Sequence, residues 1–433
     1  MDSATAATQI TDEQQLTKTT SSVHDVNSKD PPFGSRFLLD PTLTFTQNAW
    51  DHVPPPADQG STIAASLARQ RAAPVSDEER IKLNSKPAKY WDNFYKNNEA
   101  NFFKNRKWLH NEFPDLVAAA KPGAGSLKIA EIGCGAGNSI FPVLAANQNP
   151  QLELYAYDYS SHAVKLVQHN TLYTSPPCGT IRSAVWDLSS PDNDALPPGL
   201  SPASVDLVIL VFVLSALHPD EWASAVRNTQ RILKPGGKLL FRDYGRYDLT
   251  QLRFKNGRLM GDNFYKRGDG TRVYFFELDE LSLLFTGKRL SREEMVRANY
   301  GASVSQIVEE EDEENSISSA STPVSTPTPD PSGATPSSDS LDISNLSLYP
   351  AVTENEMEIQ IEPEIHPNLL DMSFFSRSKF AAARDNPSET SDPGLHHPLF
   401  TTVNLGIDRR LIVNRKRQLK MYRVWMQGVF QKV

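Results

Sequence analysis

At 433 residues the chain can hold a full α/β domain with additions, and its two cysteines, Cys134 and Cys178, exclude a disulfide framework and lack any metal-site spacing. The net charge of −8 speaks against a nucleic-acid partner only as an average, because residues 302–397 hold 18 acids against 3 Lys and Arg, a net of −15 that leaves the rest of the chain at +7. No apolar run is long enough to span a bilayer and the N-terminal residues lack the basic and apolar regions of a signal peptide, so a soluble, cytoplasmic protein with no membrane partner is expected.

Residues 1–32 are polar and aperiodic, the composition of a disordered tail. Residues 33–76 form an arm and linker in which Phe33, Phe37, Leu38, Phe45 and Trp50 crowd together, too apolar for a plain spacer; the arm either docks on the body or serves a partner. Pro54–Pro56 ends it. Residues 77–126 read as a helical lid, opened by the capping-box pair Ser76 and Glu79. Its aromatics Trp91, Phe94, Tyr95, Phe102, Phe103, Trp108 and Phe113 alternate with Lys89, Lys96, Lys104, Arg106 and Lys107. One core-facing stripe needs fewer aromatics, so some of them are expected to face a ligand.

LKIAEIGCGAGN (Leu127–Asn138) is a buried strand turning on Gly133, Gly135 and Gly137 into a helix over Ser139–Asn147. Asn138 stands where the dinucleotide fingerprint would place its third glycine, which favours the S-adenosylmethionine version of the turn over the NAD version. The next strand, Leu152–Asp158, ends on an acid suited to accept hydrogen bonds from ribose hydroxyls; the same residue could instead cap the helix Ser160–Asn170. A third strand ends on Asp187, followed by Leu188, the first able to accept from an adenine amino group and the second to offer its backbone N–H, although a solvated loop acid fits equally well. The fourth strand, within Ser204–Pro219, is apolar enough to be buried on both faces and carries Val211 near its carboxyl end. The helix Pro219–Leu233 and the strand Lys238–Gly245 complete an alternation that means a parallel doubly wound sheet, with its ligand at the carboxyl ends of the strands.

Within the core, 127–301, the segment Arg242–Leu281 interleaves eight cations, among them Arg246, Arg253, Arg267 and Arg272, with aromatics that include Tyr244, Tyr247, Phe254, Phe264, Tyr265, Tyr274 and Phe275. Exposed rings stack on unpaired bases and cations meet phosphate, so this composition suits single-stranded or loop RNA better than an insertion packing its own rings. Residues 302–397 are an acidic, Ser/Thr/Pro-rich insert expected to be disordered and dispensable for activity. Residues 398–433 supply two closing strands that return to the sheet.

The stretches KYWDNFYKNNEANFFKNRKW, EIGCGAGNS, AYDYS, WDLS, FVLSALHP, LKPGGKLLFRDYGRYD, LRF, NFYKRGDGTRVYFF and VNRKRQLKMYRVWMQ together resemble the tRNA N3-methylcytidine methyltransferases. The arm, FGSRF with NAWDHV, is similar to the subgroup associated with threonine tRNAs. The resemblance implies a Rossmann-like seven-stranded methyltransferase sheet of the α/β class with an antiparallel last strand. It also implies S-adenosylmethionine as cofactor and cytidine 32 of the anticodon loop as acceptor, in threonine and also serine tRNAs. Carried over by position, the cofactor contacts fall on Trp91, Tyr95, Gly133, Asp158, Asp187, Leu188 and Val211, joined by Gly135 from the turn itself. Phe102, Arg106 and Asp243 fall on the substrate side, with Arg246, Arg253, Arg267 and Arg272 as RNA contacts, and Asp243 is expected to be catalytic by stabilising the charge that develops on the ring. A monomer is expected, with the tRNA anticodon arm as partner and an aminoacyl-tRNA synthetase or other accessory protein as a further candidate. Two other readings remain open at this point: a methyltransferase for a protein or small molecule, and a catalytically silent tRNA-binding scaffold.

Overall fold

Eleven strands carry the described architecture: β1 (Ala49–Asp51), β2 (Leu127–Ile132), β3 (Leu152–Asp158), β4 (Thr180–Val185), β5 (Val205–Val211), β6 (Leu233–Tyr244), β7 (Leu259–Gly261), β8 (Phe264–Lys266), β9 (Arg272–Tyr274), β10 (Phe400–Asn414) and β11 (Leu419–Lys432). They belong to a computed structural model that describes residues 36–56, 58–106, 108–191, 196–300, 365–371, 374 and 397–433. The tail 1–32 and most of the segment 302–397 lie outside the described residues.

The main sheet runs in the order β1-β10-β11-β6-β5-β2-β3-β4. β6, β5, β2, β3 and β4 are mutually parallel, and β11 joins β6 antiparallel with Gly428 opposite Phe241. The parallel strands have helices on both faces, so alternate residues on either side are apolar and enclosed: Ile129, Ala130, Val208, Ile209, Leu239 and Leu240 have no exposed surface. This is the α/β methyltransferase sheet with its antiparallel strand, extended by one strand because the arm adds β1 to the outer edge of β10. Trp50 secures that addition, its ring packed in a cluster with Leu411 and Val413 and its Nε1 donating to Thr44 O at 2.8 Å.

The hairpin β7–β9 forms a second, three-stranded sheet after β6. Tyr265, Val273 and Phe275 are buried there, so the rings that composition assigned to RNA mostly form a core of their own.

Structure resumes earlier than the sequence indicated. Within the expected insert, His366 caps a short helix, Pro367–Leu370, and donates its backbone N–H to Glu280 at 2.9 Å, while Leu369 and Phe374 join the main core. A few isolated apolar side chains in a polar tract were enough to dock because Trp222 and Tyr274 offer aromatic faces to His366. Replacing 302–362 by a Gly/Ser linker of about 20 residues is therefore expected to leave the melting temperature unchanged. Deleting all of 302–397 should lower it by about 3 °C or more, measured side by side by scanning calorimetry.

Candidate active site

The site grows out of the turn after β2. Gly133 and Gly135 have φ of +67° and +54°, and a Cβ on either would lie 2.5 Å from Val213 Cγ2 or Tyr95 Oη respectively, so only glycine fits the cradle. Asp158, the last residue of β3, holds the turn in shape: one carboxylate oxygen accepts from Gly135 N and the other from Ser160 N, both at 2.8 Å. Burial raises its carboxyl to about 6, against the stabilising pull of those two N–H groups. Glu131, wholly enclosed, accepts from Ile140 N at 2.9 Å and so caps the helix Ile140–Ala146; burial raises it to about 7, with Arg106 at 3.9 Å opposing the rise.

The helix Pro87–Asn98 lies over this turn as a lid. Trp91 and Tyr95, one turn apart, share its inner face and stack at 6.1 Å. Between them in sequence, Asp92 fastens the lid, accepting from Ser160 Oγ at 2.7 Å, from Ser161 Oγ at 3.4 Å and from His162 N at 3.2 Å at the start of the helix Ser161–Gln168. Asn138, at the missing-glycine position, donates to Phe103 O and Asn105 Oδ1, while Asn138 O accepts from Arg106 N. That side chain ties the loop after the lid to the glycine turn, a task glycine could not perform.

Two cavities meet at Trp91, Tyr95, Gly133 and Phe212. One is lined by Asp158, Trp186, Asp187, Leu188 and Arg272, with Asp187 accepting from Ser189 N and Oγ. The other, about 340 Å³, is walled by cations and rings: Arg106, Trp108, Arg242, Tyr244, Arg267, Arg410 and Trp425. The Arg242 guanidinium sits 4.8 Å from the Trp108 ring and 4.9 Å from Trp425, and Arg267 lies 5.3 Å from Tyr244. Phe212 stands at the junction with φ of +62°, a left-handed conformation rare for a bulky residue, and donates its N–H to Arg242 O at 2.8 Å.

A family model described as "Methyltransferase domain" matches residues 130–239. The "tRNA(Thr) (cytosine(32)-N(3))-methyltransferase" of Saccharomyces cerevisiae is 47% identical over 256 residues, which span 59% of this chain and 40% of that protein. The "tRNA N(3)-methylcytidine methyltransferase trm140" of Schizosaccharomyces pombe is 45% identical over 269 residues, 62% of this chain and 85% of that protein. The chain belongs to the tRNA N3-methylcytidine methyltransferase family. A third relative, the "tRNA N(3)-cytidine methyltransferase METTL2" of Danio rerio, is 41% identical over 294 residues, 61% of this chain and 81% of that protein.

In this family member the residues expected at the cofactor come together: Trp91, Tyr95 and Gly133 line both cavities, Asp158, Asp187 and Leu188 the smaller, and Gly135 and Val211 the larger. Arg106 and Arg267 face the larger cavity, Phe102 is 59% exposed with its ring against Phe94 and Phe103, and Arg253 is exposed. Three of the expected residues are buried. Arg246 is buried and paired with Glu277 at 2.9 Å, and Arg272 is buried, is paired with Glu221 at 3.2 Å and lines the smaller cavity. Asp243 has no exposed surface; its oxygens accept from Ser215 N at 3.0 Å and Tyr244 N at 2.9 Å, which anchors the loop after β5. Nor does it pair with Arg242, which alternation along β6 sends to the opposite face, toward Asp408 and Gln427.

Asp92, Phe212 and Trp425 were missed. A lone acid on the lid's inner face, one position past Trp91, was the available signal for Asp92; for the other two, nothing local marks the role.

Asp92→Ala is expected to weaken S-adenosylhomocysteine binding about tenfold by titration calorimetry, with the fold kept. Burial raises Asp243 from 3.8 to about 6, so the folded protein holds that proton more tightly than the unfolded chain. The contribution to stability is full below 3.8 and is lost as pH rises through 6. Asp243→Asn, which cannot titrate, should therefore gain about 1 kcal/mol relative to the wild type between pH 5 and 7.5 in urea denaturation.

Proposed function

We propose that the chain transfers a methyl group from S-adenosylmethionine to N3 of cytidine 32 in the anticodon loop of threonine tRNAs, and of serine tRNAs as well. The observation that carries this is the junction of the two cavities at Trp91, Tyr95, Gly133 and Phe212, in a chain whose relatives bear that activity in their names. The smaller cavity suits the cofactor: Asp158 offers a fixed carboxylate for ribose hydroxyls, Asp187 and Leu188 line it and would meet an adenine edge, and the glycine cradle admits close backbone approach. When bound there, S-adenosylmethionine supplies the methyl group as an electrophile.

The protein's task is then positional. Cytosine N3 carries an in-plane lone pair at neutral pH, so no side chain need act as a general base, and the absence of Asp243 from the cavity wall costs the reaction no proton acceptor. The acceptor base has to be unpaired, because N3 lies on its pairing edge, and the larger cavity offers an extruded base ring faces in Trp108, Phe212 and Tyr244 together with guanidinium donors in Arg106 and Arg267. Holding N3 in line with the methyl group and excluding water supplies the rate by orientation. Trp91 and Tyr95, fastened by Asp92, close the cofactor side. Incubating the chain with methyl-labelled S-adenosylmethionine and unmodified threonine and serine tRNA transcripts, then hydrolysing to nucleosides, is expected to yield labelled N3-methylcytidine. Label on protein alone, or none with fully modified cellular tRNA from a strain lacking this methyl group, would overturn the reading.

A further inference from the structure

The arm before residue 56 contributes directly to the larger cavity. Ala49 and Ile412, facing each other across the β1–β10 pairing, both line it, as does Arg410, which faces Asp51. Strand alternation sends Trp50 to the opposite side of the sheet, where it packs with Leu411 and Val413, so one face of the three-residue strand anchors it and the other faces the cavity.

Asp51 is 2% exposed and carries a structural and an electrostatic task. One oxygen accepts from Arg36 N at 3.1 Å, pinning the chain that leads into the arm, and the other lies 3.3 Å from Arg410 Nε. Arg410 also meets Glu112 at 2.8 Å and Asp408 at 2.9 Å; Asp408 is shared with Arg242, and Gln427 links Arg242 to Glu112. Two nearly buried guanidiniums are thus aimed by three carboxylates arriving from the arm, from the helix Leu109–Glu112 and from β10. Removing a carboxylate from such a group leaves a buried cation under-compensated, and the cation reorients toward what remains. Here what remains is Glu112 and Asp408, and Asp408 also orients Arg242.

We propose that β1 is a wall of the acceptor cavity and that Asp51 is a positioning residue, setting the directions of Arg410 and, through Asp408, of Arg242 toward bound RNA. The proposal rests on the reading of the larger cavity as the RNA side of the site. It makes the arm part of the acceptor half of the site and leaves the cofactor half independent of it, since Ala49 and Arg410 line only the larger cavity.

Two variants of the full chain test it, Asp51→Ala and Ala49→Trp, the second filling the cavity without touching the ion pairs. Each is measured for S-adenosylhomocysteine affinity, for binding of a fluorescent anticodon stem-loop, and for kcat and KM with threonine tRNA. The expected result is at least tenfold weaker stem-loop binding and a raised KM in both variants, cofactor affinity within twofold of wild type, and partial recovery of KM in Asp51→Asn, which keeps an acceptor for Arg36 N. Wild-type stem-loop affinity in folded Ala49→Trp, or equal losses of cofactor and RNA binding in Asp51→Ala, would overturn the proposal. If the wild type binds the stem-loop but methylates another acceptor, the functional reading fails and the arm's role stands on the binding data. A wild type that binds no RNA would remove both.

Discussion

The grip of the Asp158 carboxylate on two backbone N–H groups, Gly135 in the turn and Ser160 at the next helix, is the constraint on which the site depends. It joins the ends of β2 and β3, holds the turn against which Tyr95 packs closely, and leaves Asp158 lining the smaller cavity. Ser160 then serves twice: its N–H steadies Asp158, and its hydroxyl holds Asp92 and with it the lid. Turn, acid and lid form one hydrogen-bonded unit, and a change at any member is transmitted to the rest.

The larger cavity follows a different physical plan. Its cations are not a solvated basic face; several are sunk beside rings and aimed by buried acids, as Arg242 is by Asp408 between Trp108 and Trp425. Such guanidiniums have little conformational freedom left to lose on binding a planar group.

Interleaved cations and rings leave their destinations open. Arg246, Arg272 and the rings of β7–β9 were read as an RNA surface because cations and aromatics interleave at high density. The same density serves a small sheet that needs an aromatic core and internal ion pairs, and composition cannot distinguish the two. Asp243 was placed correctly at the end of its strand, yet which side of the sheet received it depended on β5 and the loop at Ser215, not on β6 alone.

The sequence by itself determined the strand–helix alternation, the glycine turn and the acid at the end of β3, because each follows from local period, backbone freedom and spacing over about 30 residues. Trp91 and Tyr95 lie in a segment whose composition is too aromatic for one core-facing stripe, and the family resemblance singled them out within it. Only the tertiary structure decided which cations are spent on internal acids, that Phe212 stands where the cavities meet, and that β1 from residue 49 and β10 from residue 400 lie side by side at the cavity wall. Those are pairings between residues hundreds of positions apart, set by sheet order and by competition for buried charge, and no local pattern encodes the partner each one finds.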